Sequence, residues 1–314
     1  MARRFFAASL FVSAFFAGAA LAQNNDADVV QNGANNVADV DQTTASTNNN
    51  ADITQNGTGN EASTIQTGTG IASSSNNNDA DIDQSGARND ATALQRSGPF
   101  GASANNRSDI NQEGRRNDAV TRQAGGGFAV SDGNDANIAQ SGGANRAETV
   151  QNSGLAASSR NNDADIRQNG TGNIGTTLQN GLGLATSQNN EADIRQSGSR
   201  NDAVIRQSGA ALGASINNDA RIEQGGSANR ADVSQRNVGG AFGVVSDSDA
   251  DVEQNGSRNQ AFVDQSGGSV QNLDANVTQS GANNLAVVNQ NSGGSGNQAA
   301  IVQNGTGNTA TTNQ

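Results

Sequence analysis

Asn162-Asp163-Ala164-Asp165-Ile166-Arg167-Gln168 and Asn201-Asp202-Ala203-Val204-Ile205-Arg206-Gln207 are two copies of one pattern, N-x-A-x-[IV]-x-Q. Its four fixed residues fall on every second position. In an extended chain Asn, Ala, the β-branched residue and Gln therefore share one face, while Asp and Arg are prominent on the other. Read alone, this predicts a β-strand that turns amides inward together with its apolar side chains.

The pattern recurs along the chain. A Gln followed by x-Gly stands at Gln31, Gln55, Gln84, Gln112, Gln140, Gln168, Gln196, Gln224, Gln254, Gln279 and Gln303, with spacings of 24, 29, 28, 28, 28, 28, 28, 30, 25 and 24. Counting each of these as position 0, position +2 is always Gly: Gly33, Gly57, Gly86, Gly114, Gly142, Gly170, Gly198, Gly226, Gly256, Gly281 and Gly305. Position +5 is always Asn: Asn36, Asn60, Asn89, Asn117, Asn145, Asn173, Asn201, Asn229, Asn259, Asn284 and Asn308. Position +11 is always Gln: Gln42, Gln66, Gln95, Gln123, Gln151, Gln179, Gln207, Gln235, Gln265, Gln290 and Gln314. Position −2 is Ile or Val throughout, −4 is Ala except for Ser108, +7 is Ala except for Gly175, and −6 is Asn in nine repeats, with Ser248 and Leu273 the departures.

Each repeat therefore reads as strand, tight turn, strand, with the turn at the invariant Gly, where a positive φ is most easily adopted. The second strand is looser at +9, and in several repeats the large apolar residue sits at +10 instead (Ile65, Leu94, Val150, Leu178). The link to the next repeat carries an apolar position at +16, namely Ile71, Phe100, Phe128, Ala156, Leu184 and Leu212. That column is expected to form part of the core, in a short third strand or a loop folded over the rung.

One such repeat has too little apolar surface to offset the entropy of ordering itself, so neighbouring repeats must supply the remainder. Stacking equivalent strands pairs every backbone amide with the rung above and below. It also lets inward Gln and Asn amides form ladders, since an amide can donate to one neighbour and accept from the other. The expected fold is all-β: a β-solenoid of the cross-β, amyloid type with eleven stacked strand-turn-strand repeats. The Gln columns at 0 and +11 and the Asn column at +5 are the candidate self-assembly ladder, and the Gly column at +2 the candidate turn.

Composition excludes much else. The 314 residues include no His, Cys, Trp or Tyr, a single Pro and 39 Gly, with 3% aromatics and a formal net charge of −12. Without His or Cys there is no Ser-His triad, thiol nucleophile, zinc finger or disulfide framework. Acid-base chemistry would rest on Asp and Glu alone, on an open repetitive face, so no enzyme is expected and no cofactor. The 18 basic residues are all Arg and are scattered, which gives no electrostatic footprint for nucleic acid. Ordered differently, the same composition would read as disorder; the period argues against it.

Residues 1–22 carry Arg3 and Arg4, an apolar run from Phe5 to Ala20 and the small-residue site Ala20-Leu21-Ala22, the pattern of a secretory signal peptide. Its removal leaves residues 23–314 as one repeat domain, takes the net charge from −12 to −14 and keeps four of nine Phe. No later stretch is apolar enough to span a bilayer as a helix. Export without Cys implies a protein that does not use disulfides.

The outward position −3 is Asp in Asp28, Asp52, Asp81, Asp109, Asp165, Asp193 and Asp251. The glycine-rich nonapeptide of calcium-binding β-rolls is absent, so the column reads as a solvated face that discourages wrong pairing. The first repeat begins at Asn25 and the last ends at Gln314, so in-register edges are expected to template another copy of the chain.

Gln55-Asn56-Gly57-Thr58-Gly59-Asn60-Glu61-Ala62-Ser63-Thr64-Ile65-Gln66 and the stretch from Gln303 to Gln314 match Q-x-G-x-G-N-x-A-x3-Q. On these residues the chain resembles the curlin-repeat family, the curli fimbria amyloid subunits, major or minor. The resemblance implies an extracellular amyloid fibre serving cell adhesion and biofilm matrix. It also implies a nucleator or sister subunit and an outer-membrane export channel as partners. The chain departs from the family pattern in its longer and more numerous repeats, in Asn for Ser at −6, and in Arg or Ala for Gly at +4. No separate channel-targeting segment precedes its first repeat. The competing expectation is a monomeric β-solenoid that binds ice, glycan or calcium through a regular outward column.

Overall fold

The computed structural model describes residues 24–42, 46–68, 73–181, 183–209, 212–237, 243–291 and 295–314. The expected signal peptide, residues 1–22, and Ile71 lie outside them.

The chain is a parallel β-solenoid built from three stacked sheets. The first sheet has eleven strands, from Asp26–Ala34 to Gln298–Thr306, and each holds positions −5 to +3 of one repeat. The second also has eleven, from Val37–Asp41 to Thr309–Asn313. In both, every strand pairs in parallel with its counterpart in the next repeat. Ile166 lies opposite Ile194, Gln168 opposite Gln196 and Gly170 opposite Gly198. The 24- to 30-residue spacings do not disturb this register, because the extra residues are all taken up in the link.

The third side is a short strand in the link, and it forms a nine-stranded sheet from Ser46–Thr47 to Val270–Gln271. In the full-length repeats it has three residues, such as Ala102–Ala104 or Thr186–Gln188. The shorter repeats keep a reduced version: two residues at Ser46–Thr47 and at Val270–Gln271, then a single bridge from Gln271 to Ser295.

The core lies between the first and second sheets. Positions −4 and −2 of one face +7 and +9 of the other, and the buried Ala, Ile and Val form one continuous cluster from Ala38 to Ile301. The facing is explicit at the one repeat without Ala at −4, where the Ser108 hydroxyl pairs with that of Thr121 at +9. The second strand has no bulge. Thr64, Ala93, Thr149 and Thr177 at +9 are all buried, and the larger Ile65, Leu94 and Leu178 at +10 turn outward without shifting the register.

The apolar column at +16 is not core, contrary to the expectation. Phe100, Phe128, Leu184 and Leu212 are exposed, as is Ala156. The third strand begins two residues later and turns small side chains inward, Ser75, Ser103, Ser131, Ser159, Ser187 and Ser215. The inward place at that corner is +17, held by the buried Gly101, Ala129, Ala157, Ala185 and Gly213, so the +16 side chain stands outside.

Candidate self-assembly ladders

The inward Gln at position 0 is held in the middle of a nine-residue strand between the buried Ile or Val and the Gly turn. From Gln31 to Gln303 each Nε2 donates to the Oε1 of the Gln in the next repeat, in an unbroken chain of bonds of 2.7–2.9 Å. From Gln55 onward the second N–H donates to a backbone carbonyl of the facing strand in the preceding repeat, as from Gln168 to the Arg146 carbonyl at 2.9 Å. Both donors and the acceptor are thus used in a buried site, the condition under which a buried amide is tolerated.

The Gln at +11 forms a second chain, Gln42 to Gln314, with Nε2 to Oε1 distances of 2.8–3.0 Å. Its Nε2 also donates back to the first strand of its own repeat, as from Gln179 to the Asp163 carbonyl at 2.8 Å. The two ladders therefore tie the two large sheets together at opposite ends of the flattened turn.

The Asn column at +5 works differently. Each Oδ1 accepts the backbone N–H of the next Asn, as Asn173 does from Asn201 at 3.1 Å. Each Nδ2 donates across the turn, for Asn173 to the carbonyls of Asn169 and Gly198 at 3.4 and 3.3 Å. This side chain therefore fastens a corner, and only between Asn259 and Asn284 does amide bond amide directly.

Gly33, Gly57, Gly86, Gly114, Gly142, Gly170, Gly198, Gly226, Gly256, Gly281 and Gly305 all have positive φ, between 96° and 128°. Space makes a second demand: a Cβ on Gly170 would run into the carbonyl of Gly198 in the next rung. The following corner residue at +4 is also left-handed, and here Arg88, Arg116, Arg200 and Arg258 accept φ of 56–59° where Gly59, Gly172 and Gly307 stand in other repeats.

A fourth ladder was not among the candidates. The Asn at −6, including Asn78, Asn106, Asn134, Asn162, Asn190 and Asn218, receives the backbone N–H of the next rung on its Oδ1 and bonds the inward Ser of the third strand. Asn162 is typical: its Nδ2 reaches Asn134 Oδ1 at 3.1 Å and Ser159 Oγ at 2.9 Å. The signal was available as Ser three residues before Asn, but the small Ser sits in the variable link. Where the chain departs at −6, the partner departs with it. Leu273 packs with Val245 and Val270 in a separate apolar cluster, so amide and hydroxyl are exchanged together for hydrocarbon.

The outward faces carry the charge. On the first sheet, positions −5 and −3 bear most of the carboxylates. Asp81 is pushed up to about 6, first by burial between its neighbours and then by Asp83, Asp109, Asp52 and Asp79. Asp165 is also raised to about 6 by burial, against the pull of Arg167. Asp193 pairs with Arg195 at 2.5 Å and Asp165 with Arg167. An open groove of about 370 Å³ runs along this face between Asn111, Arg167, Arg195 and Glu223. Among the described residues no three Asp or Glu converge to hold a metal ion, and no helix is long and apolar enough to cross a membrane.

Fold and ladders together define an in-register parallel β-solenoid whose rungs are joined by buried side-chain amides. The family model of the curlin associated repeat matches residues 76–99, 188–217 and 246–269, and each segment contains one Gln pair of the two ladders. The chain thus carries curlin associated repeats at these three segments, and no curated protein matches it.

Proposed function

We propose that the protein is a secreted structural subunit that stacks end to end into curli-like amyloid fibres, extracellular fimbriae for cell adhesion and biofilm matrix. One observation carries this reading: every rung offers its neighbour the same backbone edge, the same Gln ladders and the same Asn corner. A rung of a second molecule would make the contacts that adjacent repeats already make within one chain. On this reading residues 1–22 direct export and are removed, residues 23–314 act as one assembly domain, and an outer-membrane channel and a nucleator or sister subunit are its partners. Nothing in the ladders asks for a catalyst or a cofactor.

The purified secreted form is expected to give thioflavin-positive fibres with reflections near 4.8 Å and about 10 Å. A chain that stays monomeric and soluble for days would overturn the proposal. Gln168→Glu combined with Gln179→Glu places two carboxylates in the amide columns, and is expected to slow assembly by at least about tenfold, since an unpaired buried charge costs several kcal/mol.

A further inference from the structure

Five successive links present a ridge that the ladders do not use. Phe100 is 48% exposed, Phe128 68%, Leu155 72%, Leu184 56% and Leu212 39%. They follow one another rung by rung at the corner before the third sheet. Phe100 and Phe128 stack face to face with ring centroids 4.9 Å apart and planes 8° from parallel. In the rung where +16 is only Ala156, the large residue stands one place earlier, at Leu155, so the ridge continues. Scattered exposed apolar residues are ordinary, but a contiguous line of five is not.

The ridge is also free of charge in a chain of net charge −12. No ionisable residue occurs in 97–102, 124–130, 152–157 or 183–187. The adjoining outer face of the third sheet continues with Ala102, Val130, Ser158, Thr186 and Ala214, and its two charges, Asp132 and Arg160, are of opposite sign in neighbouring rungs. The first sheet, by contrast, presents stacked carboxylates.

We propose that this ridge is a lateral docking surface for a second copy of the same chain, through which fibres pair side by side; this rests on the fibre reading above. Three features select a second copy as the occupant. Two acidic molecules can approach closely only along a line without charge, and this corner is such a line. A facing ridge must match the inter-strand repeat of about 4.8 Å, and another copy of this solenoid has that period by construction. The area is also small: five partly exposed side chains amount to roughly 400–500 Å², about half of each partner's share in a standard interface. Single chains would then pair weakly, while subunits joined end to end repeat the contact along the fibre and pair by multivalency.

The test compares the purified protein with a variant carrying Phe100→Ser, Phe128→Ser, Leu155→Ser, Leu184→Ser and Leu212→Ser, and with the milder Leu155→Ser/Leu184→Ser pair. Thioflavin growth reports stacking; fibre width in negative stain and the fraction sedimenting at low speed report pairing. The expected result is unchanged growth within about twofold, with the bundled fraction falling at least fivefold in the full variant and at least twofold in the pair. Equal bundling in parent and variants overturns the inference, as does a parent whose fibres remain single. A parent that forms no fibres overturns the fibre reading and this inference with it. Soluble parent that binds octyl-coated beads, with binding lost in the variants while bundling persists, overturns it in favour of an apolar surface as the occupant.

Discussion

Gly170 carries two constraints at once. Its φ of 125° lies where L residues are strained, and a Cβ would strike the Gly198 carbonyl above it. The neighbouring corner separates these effects. At +4 the backbone is equally left-handed, yet Arg200 is accommodated at φ 56° because its side chain points to solvent. Left-handed strain alone costs on the order of 1 kcal/mol and is tolerated. Strain plus a backbone collision is not, which is why +2 never varies along the chain while +4 does. Gly170→Ala is therefore expected to destabilise by at least about 3 kcal/mol in urea unfolding, and Arg200→Gly to be neutral or stabilising by up to about 1 kcal/mol. Equal effects at the two sites would show that the collision does not matter.

At the scale of the strand and its corner, what was legible in the sequence follows from period two. Asn162, Ala164, Ile166 and Gln168 alternate strictly, so the facing of both long strands, their register and the Gln columns could be read from residues alone. The third side could not. Its strand is three residues long, too short to show alternation, and its inward residue is Ser, a type that gives no burial signal. Phe100 and Phe128 misled for a related reason: a large apolar residue at a fixed position is usually core, and here the inward place belongs to the next residue, Gly101 or Ala129. The Asn and Ser pair also shows how a column can be rewritten. Leu273 is supported by Val245 and Val270, which offer no hydroxyl. Leu273→Asn is therefore expected to cost about 2–3 kcal/mol, the penalty of a buried amide without its partner. Adding Val270→Ser should restore part of the loss, giving a favourable coupling of at least about 0.5 kcal/mol in a double-mutant cycle. Additive losses would mean that Asn and Ser do not act as a unit.

Over the whole molecule, stacking that aligns amides inside also aligns carboxylates outside, since the register that sets Gln168 beside Gln196 sets Asp165 beside Asp193. The amide column gains from this repetition and the acid column loses. Burial raises Asp81 and Asp165 to about 6 from the ordinary 3.8, and raises Asp109, Asp135, Asp163, Asp219, Asp249 and Asp251 as well, with like-charged neighbours adding to it at all of these but Asp163. Arg167 and Arg195 offset the effect only along the middle rungs. A carboxyl whose folded value lies above its unfolded one binds its proton more tightly in the folded state. Its contribution is complete below the unfolded value of 3.8 and is lost as pH rises through the folded value near 6. Stability should therefore climb as pH falls from 7.5 to about 4, the reverse of a protein held by salt-bridged acids. The same columns would lengthen whenever one molecule stacks on another, so end-to-end assembly should accelerate over the same window. Salt supplies an independent check: about 0.3 M should raise the urea midpoint at pH 7.5 by screening the column and change it less at pH 4.5, where Asp81 and Asp165 are largely protonated. A midpoint that is flat in pH, or that falls on acidification, would show that the acid column is relaxed by solvent and exerts no force on the fold.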